Sequence, residues 1–79
     1  MAGLSFRQVE AFRAVMIAGT TTGAADILCV SQPAVSRLLS DFEASVEVRL
    51  FERQKKRLIP TPEAMILFEE VEKSFVGIE

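Results

Sequence analysis

The sequence predicts a mainly α fold: three short helices forming a core, a two-stranded β-hairpin, and a longer closing helix. Three observations predict it. Apolar residues recur at helical spacing in four separate stretches, each preceded by a serine or threonine suited to cap a helix. Between the third and fourth stretches, two short apolar-containing arms flank the polar run Gln54-Lys55-Lys56, the pattern of a hairpin. The chain has 79 residues, about half of them apolar, with no low-complexity segment, which suits one small domain.

The first helix opens at Leu4-Ser5-Phe6-Arg7-Gln8-Val9, where Ser5 and Gln8 have capping-box spacing and Leu4 can staple onto Val9. Val9, Phe12 and Met16 share one face, with Val15 beside them, and Gly19 ends the helix. Thr20 caps a second helix expected to run to about Cys29, and its small residues Ala24 and Ala25 let another helix approach closely. Ser31 caps the third, with Pro33 in a first turn where a missing N–H costs nothing. Val35, Leu38, Leu39, Phe42 and Val46 make its core-facing stripe, and the helix is expected to fade near Val46. Leu50–Arg53 and Arg57–Ile59 read as the hairpin arms. Thr61-Pro62-Glu63 restarts a helix with a cap, a first-turn proline and an acid near the positive dipole end. Ala64, Phe68, Val71, Phe75 and Ile78 then alternate steps of four and three, an a/d seam about two heptads long that is expected to pair two chains. Met65 and Leu67 widen that apolar surface. The arrangement is a winged helix-turn-helix over residues 1–60, followed by a linker and dimerisation helix over 61–79.

The outer face of the third helix reads Gln32, Pro33, Ser36, Arg37 and Ser40, clustered toward its N-terminus. That is the end a helix-turn-helix presses against base edges. Glutamine pairs bidentately with adenine, arginine with guanine, and serine serves either, so Gln32, Ser36 and Arg37 are base-reading candidates. The competing reading is an ordinary solvated helix face. Arg53, Lys55, Lys56 and Arg57 suit contacts to phosphates, one of them entering the minor groove, against the plainer reading of a solvated hairpin tip. Thr21 and Thr22 start the second helix, where a hydroxyl can reach a phosphate or serve no DNA at all. Ser31 and Ser40, at the margins of the polar face, join the backbone-contact set. Cys29 is read as a small hydrophobe near the turn, since no lysine, arginine or histidine adjoins it to activate the thiol. The six phenylalanines fall on apolar faces and are read as core or interface.

A net charge of −2 is unusual for a nucleic-acid binder, but the charge is unevenly placed. Residues 1–62 hold eight of the nine basic side chains and six acids, a balance of +2, whereas residues 63–79 hold five acids and Lys73, a balance of −4. Arg49, Arg53, Lys55, Lys56 and Arg57 face only Glu52 within their own segment. Local field and counterion release, not the whole-chain average, govern phosphate contact. No apolar run approaches the roughly 18 residues of a membrane span, and the N-terminus lacks a signal-peptide pattern. One cysteine and no histidine exclude a disulfide framework and an ordinary zinc site. A cytoplasmic location is expected. Without histidine, a metal cluster, paired acids or a phosphate loop, an enzyme is not expected, nor any cofactor in this domain. A winged helix docking a protein partner is the alternative to DNA binding.

The segments AAD-L, SQPAVSRLL-DFE, LFER and TPE together resemble the DNA-binding domain of the LysR family of bacterial transcriptional regulators, and the resemblance covers nearly the whole chain. It implies groove contacts at Gln32, Ser36 and Arg37 and near Pro33, and a final helix that pairs two subunits on a double-stranded operator. It further implies an effector-binding domain absent from this sequence, where a small molecule would bind. Larger assemblies such as a tetramer, and RNA polymerase as a partner, are compatible with it. Activation of some promoters and repression of others, including the regulator's own, is the implied effect. The FRQVEAFRAVM start and TPEAMILFEEVEKSFVGIE end look closest to regulators of opine and amino-acid catabolism. Three positions depart from the family pattern. Thr21 stands where an aromatic is common, and Pro60 replaces an apolar residue, so the second strand is expected to end by Ile59. Glu47 stands where glycine is usual, so either a left-handed backbone there is strained or the turn is reshaped.

Overall fold

The computed structural model describes residues 6–55 and 57–76, with side chains as far as Lys73. The elements run α1 (Phe6–Ala18), α2 (Thr21–Leu28), α3 (Gln32–Val46), β1 (Phe51–Gln54), β2 (Arg57–Pro60) and α4 (Pro62–Val76). Helix α1 is the floor on which α2 and α3 both pack, and α4 closes over α1 and β2.

Local chemistry sets the helix starts. The Thr20 side chain accepts from the Gly23 N–H at 3.0 Å, Ser31 from Ala34 N–H at 3.3 Å, and Thr61 from Ala64 N–H at 3.2 Å. Each bond satisfies a donor the first helical turn leaves orphaned. Leu4 and Ser5, the expected staple and cap of α1, lie outside the described residues. Gly19 adopts φ +83° and its N–H closes onto Val15 O at 2.7 Å, ending α1. Helix α2 stops at Leu28, one residue before the expected end, because Cys29 turns left-handed at φ 59°. Helix α3 ends at Val46 as expected, with Glu47 left-handed at φ 58° and its N–H on Glu43 O. At both ends the following N–H reaches back five residues, from Val30 to Ala25 O and from Val48 to Glu43 O. These are Schellman-type closures made without the glycine that usually relieves them. The turn at Glu47 is therefore strained, not reshaped.

Phe12 organises the core. It is fully buried, and its ring lies 5.5 Å from Phe42 of α3, 5.9 Å from Phe51 of β1 and 6.4 Å from Phe68 of α4. Each tilted or edge-on pair adds about 0.5–1.5 kcal/mol beyond area burial, so one side chain of α1 fixes three other elements. Ala24, Ala25, Val35, Leu39, Leu50 and Leu58 complete the buried cluster. Phe6 is the exception among the described phenylalanine side chains, left 60% exposed at the start of α1.

The hairpin pairs Phe51 with Pro60 and Gln54 with Arg57 in antiparallel register. It begins one residue later than the sequence suggests and runs on to Pro60, beyond the expected stop at Ile59. Proline is tolerated because it occupies the last pair at a sheet end, where the next N–H, from Thr61, bonds Leu50 O at 3.0 Å. Leu58 N–H donates to Gly19 O at 3.2 Å and ties the wing to the α1–α2 turn.

Candidate nucleic-acid interface

Helix α3 carries two faces with separate duties. Val35, Leu39 and Phe42 are buried, while Gln32, Pro33, Arg37 and Ser40 are exposed and Ser36 sits half-buried between them. Because the Ser31 cap and Pro33 fix the first turn, the exposed residues at that end project from a defined backbone.

The wing stands beside that end of the helix. Thr21, Thr22, Gln32, Arg53, Lys55, Arg57 and Leu58 line one cleft of about 350 Å³. The start of α2, the start of α3 and both wing strands thus meet around a single opening, with Leu58 as its apolar member. Ser40 lies elsewhere. It lines a second, more open cleft of about 620 Å³ along the C-terminal half of α3, together with Arg49 and Arg53. Arg53 borders both clefts. Lys56 lies outside the described residues.

The electrostatics favour an anion. Among the described residues the ion pairs are Arg13–Glu72, Arg49–Glu52 and Lys73–Glu70, and none involves Arg37, Arg53, Lys55 or Arg57. Three unpaired cations on one hairpin of eight pairing residues repel one another in the free protein, and a phosphate would relieve that repulsion.

Several residues that hold this geometry carried no functional signal in the sequence. One oxygen of Glu43 on α3 accepts from Leu50 N–H at 2.7 Å and Phe51 N–H at 3.2 Å, joining α3 to the root of the wing. Thr61 donates its hydroxyl to Arg49 O at 2.8 Å, so the same segment is held from its carbonyl side. Gly23 permits close approach of α2 to the end of α1, since a Cβ there would lie 2.8 Å from Ala18 Cβ. These contacts join residues that the local pattern does not link; the SQPAVSRLL-DFE run contains Glu43 but carries no sign of its partner.

The seam expected on α4 is partly engaged within the chain itself. Ala64 is fully buried and Val71 nearly so, and both belong to the chain's own core; Phe68 packs edge-on to Phe12. Ala64 and Val71 therefore have little surface left for a second chain, while Phe68 is only partly buried. Phe75's side chain and Ile78 lie outside the described residues. Among the described side chains, the large apolar ones that α4 exposes are Met65, at 52%, and Ile66, at 66%.

The family model of bacterial regulatory helix-turn-helix proteins of the lysR family matches residues 6–65, spanning α1 through the first turn of α4. The chain belongs to the LysR family. Among curated relatives, it is 53% identical over 75 residues to the octopine catabolism/uptake operon regulatory protein OccR of Rhizobium meliloti, covering 95% of this chain and 25% of that protein. It is 53% identical over 73 residues to the regulatory protein NocR of Agrobacterium fabrum, covering 92% of this chain and 24% of that one. The transcriptional activator LysR of Escherichia coli is 48% identical over 79 residues, 100% of this chain and 25% of its own length. The chain thus spans about a quarter of the length of the curated relatives it matches, and those relatives are named as regulators, not enzymes. Two similar solved structures are complexes with DNA. The BenM DBD on benA site 1 DNA superposes with a TM-score of 0.86 at 30% identity, covering 94% of this chain and 83% of that one. The CbnR DBD–DNA complex gives 0.87 at 32% identity, covering 94% and 85%. The winged helix-turn-helix expected from capping and periodicity is the architecture these LysR-family members share, and the OccR and NocR names agree with the likeness to opine regulators.

Proposed function

We propose that this LysR-family chain is a sequence-specific double-stranded DNA reader that controls promoter activity as part of a dimer or larger assembly. The observation that carries the reading is the continuous surface made by the start of α3, the start of α2 and a wing whose described cations, Arg53, Lys55 and Arg57, lack acidic partners. On a duplex, α3 enters the major groove with Gln32, Ser36 and Arg37 toward base edges and Pro33 packed beside them. Thr21, Thr22, Ser31, Ser40 and the wing cations Arg53, Lys55, Lys56 and Arg57 contact the backbone and set the register. Two copies, related by a two-fold axis and paired through α4, read a pseudo-palindrome with half-sites spaced by helical turns. Given the burial of Ala64 and Val71, the pairing surface on α4 includes the exposed Met65 and Ile66 beside the partly buried Phe68. The OccR and NocR relatives point to operons of opine or amino-acid catabolism as targets. A small-molecule effector acts through a further domain, RNA polymerase is the downstream partner, and the DNA target puts the site of action in the cytoplasm.

The test is selection from random duplexes at several salt concentrations, followed by sequencing of what is retained. The expected result is a two-fold-symmetric motif, bound with an affinity that falls steeply as salt rises. Retention that ignores salt, or no retention of any duplex, would refute DNA reading and favour a protein partner for the polar face.

A further inference from the structure

Arg13 of α1 and Glu72 of α4 meet across 59 positions of sequence. The Arg13 Nε–H donates to Glu72 Oε2 at 2.9 Å and an Nη2–H to Oε1 at 3.4 Å. Among the described residues, the pairs Arg49–Glu52 and Lys73–Glu70 join positions only three apart. Arg13 follows Phe12, and Glu72 stands one helical turn after Phe68, whose ring lies 6.4 Å from that of Phe12. Helix α1 therefore grips α4 at two points about 6 Å apart along its axis. The apolar grip, with Ala64 and Val71 buried in the same core, is non-directional. A bidentate guanidinium–carboxylate pair is not, because its plane and donors are fixed. Since α1 also carries α2 and α3, the direction of α4 relative to α3 passes through this pair.

We infer that Arg13 and Glu72 are positioning residues for specificity: by fixing the angle between α4 and the helix-turn-helix, they set how many base pairs separate the half-sites a dimer accepts. The inference rests on the DNA-reading proposal and on pairing through α4. Neither residue lines the clefts beside α3, so the effect is indirect. The domain measures 33 × 26 × 25 Å. Across that span a turn of about 5° at α4 moves the opposite side by roughly 2 Å, and two-fold symmetry doubles this to roughly 4 Å, about one base-pair rise. Half-sites are read in fixed helical phase, so a change of one base pair is felt in both distance and rotation. The side chains are 34% and 31% exposed, and so accessible a pair adds little to global stability. Its removal frees direction before it unfolds the domain.

The experiment compares Arg13→Ala, Glu72→Gln and the charge-swapped double variant, Arg13→Glu with Glu72→Arg, against the wild-type chain. Each is melted, then titrated on a single half-site duplex and on duplexes whose two half-sites stand at the selected spacing or slightly nearer or farther. The wild-type chain is expected to lose roughly tenfold in affinity per base pair of offset. Both single variants should flatten that profile to within roughly threefold, melt within about 5 °C of wild type and bind the half-site as wild type does. The swapped pair should restore the profile. Single variants that keep the wild-type profile would overturn the inference, as would a swap that melts like wild type yet stays flat. Equal losses on the half-site and at every spacing would make the pair purely structural and overturn it too. A wild-type chain that retains only single half-sites would remove the pairing and this inference while leaving DNA reading intact; one that retains no duplex would remove all three.

Discussion

Replacing Glu43 with alanine should damage this protein more than any substitution on its exposed faces. One Glu43 oxygen accepts from Leu50 N–H at 2.7 Å and from Phe51 N–H at 3.2 Å, where the chain passes from α3 into the wing. Both residues are buried, so neither amide finds water easily once its acceptor is gone. An unsatisfied buried donor costs about 1–3 kcal/mol, and bonds to an ionised acceptor lie in the upper part of that range. Two such donors, less some relaxation, give a loss of about 2–4 kcal/mol for Glu43→Ala. A domain of this size has a total stability of order 4–12 kcal/mol, so the loss is a large fraction of it. Glu43→Gln keeps an amide oxygen in reach and loses only the charge, so about 1 kcal/mol is expected. Urea unfolding of the three proteins measures the order wild type, Gln, Ala. Hydrogen exchange should accelerate at the Leu50 and Phe51 amides before it does elsewhere in the core. An alanine variant within 0.5 kcal/mol of wild type, on the same order-of-magnitude scale, would mean that water replaces the carboxylate and that α3 and the wing are not joined through it.

Other predictions follow from the same contacts. Gly23→Ala places a Cβ 2.8 Å from Ala18 Cβ and 3.2 Å from Thr20 Oγ1; the overpacking outweighs the gain in helix propensity, for a net loss of about 1 kcal/mol by thermal melting. Arg37→Ala should relax preference at one base position by about 1–3 kcal/mol, read on a panel of mutated sites, while Tm stays put because the side chain is exposed. On α4 the seam predicts opposite outcomes for its two faces. Phe68→Ala should cost about 2–4 kcal/mol of fold stability, whereas Ile66→Lys should leave stability within about 0.5 kcal/mol and weaken self-association in sedimentation.

The capping residues were legible because capping is local: a threonine or serine three residues before an amide needs no knowledge of the rest of the chain. The stripe Val35, Leu39 and Phe42 was legible for a similar reason, since helical spacing fixes which residues share a face. Spacing does not say what the face meets. Ala64, Phe68 and Val71 repeat as an intermolecular seam would, and the chain packs them against Phe12 and its neighbours. The candidate site divided along the same line. Residue types marked α3 and the wing as polar and basic, but the convergence of Thr21, Gln32 and Lys55 on one cleft depends on the long-range bond from Leu58 to Gly19. Glu43 and Gly23 were opaque because their partners lie across a turn or on another helix.

Strain in this fold is confined to joints. Apart from Gly19, the described residues with positive φ are Cys29, Glu47 and Lys55, which end α2, end α3 and turn the wing. Each disfavours the free fold by something on the order of 1 kcal/mol, a heavy load for a chain this short. The load is bearable because each joint lies between fixed segments. Phe12 locks α1, α3, β1 and α4 together, while Glu43 and Thr61 hold residues 49–51 by both their amides and their carbonyls. Such a frame leaves the turns little choice of conformation. The angle between α3 and the wing is therefore set by the core, and side chains at the joints can change without moving either element. That is why a lysine can occupy a position where glycine would serve the fold better.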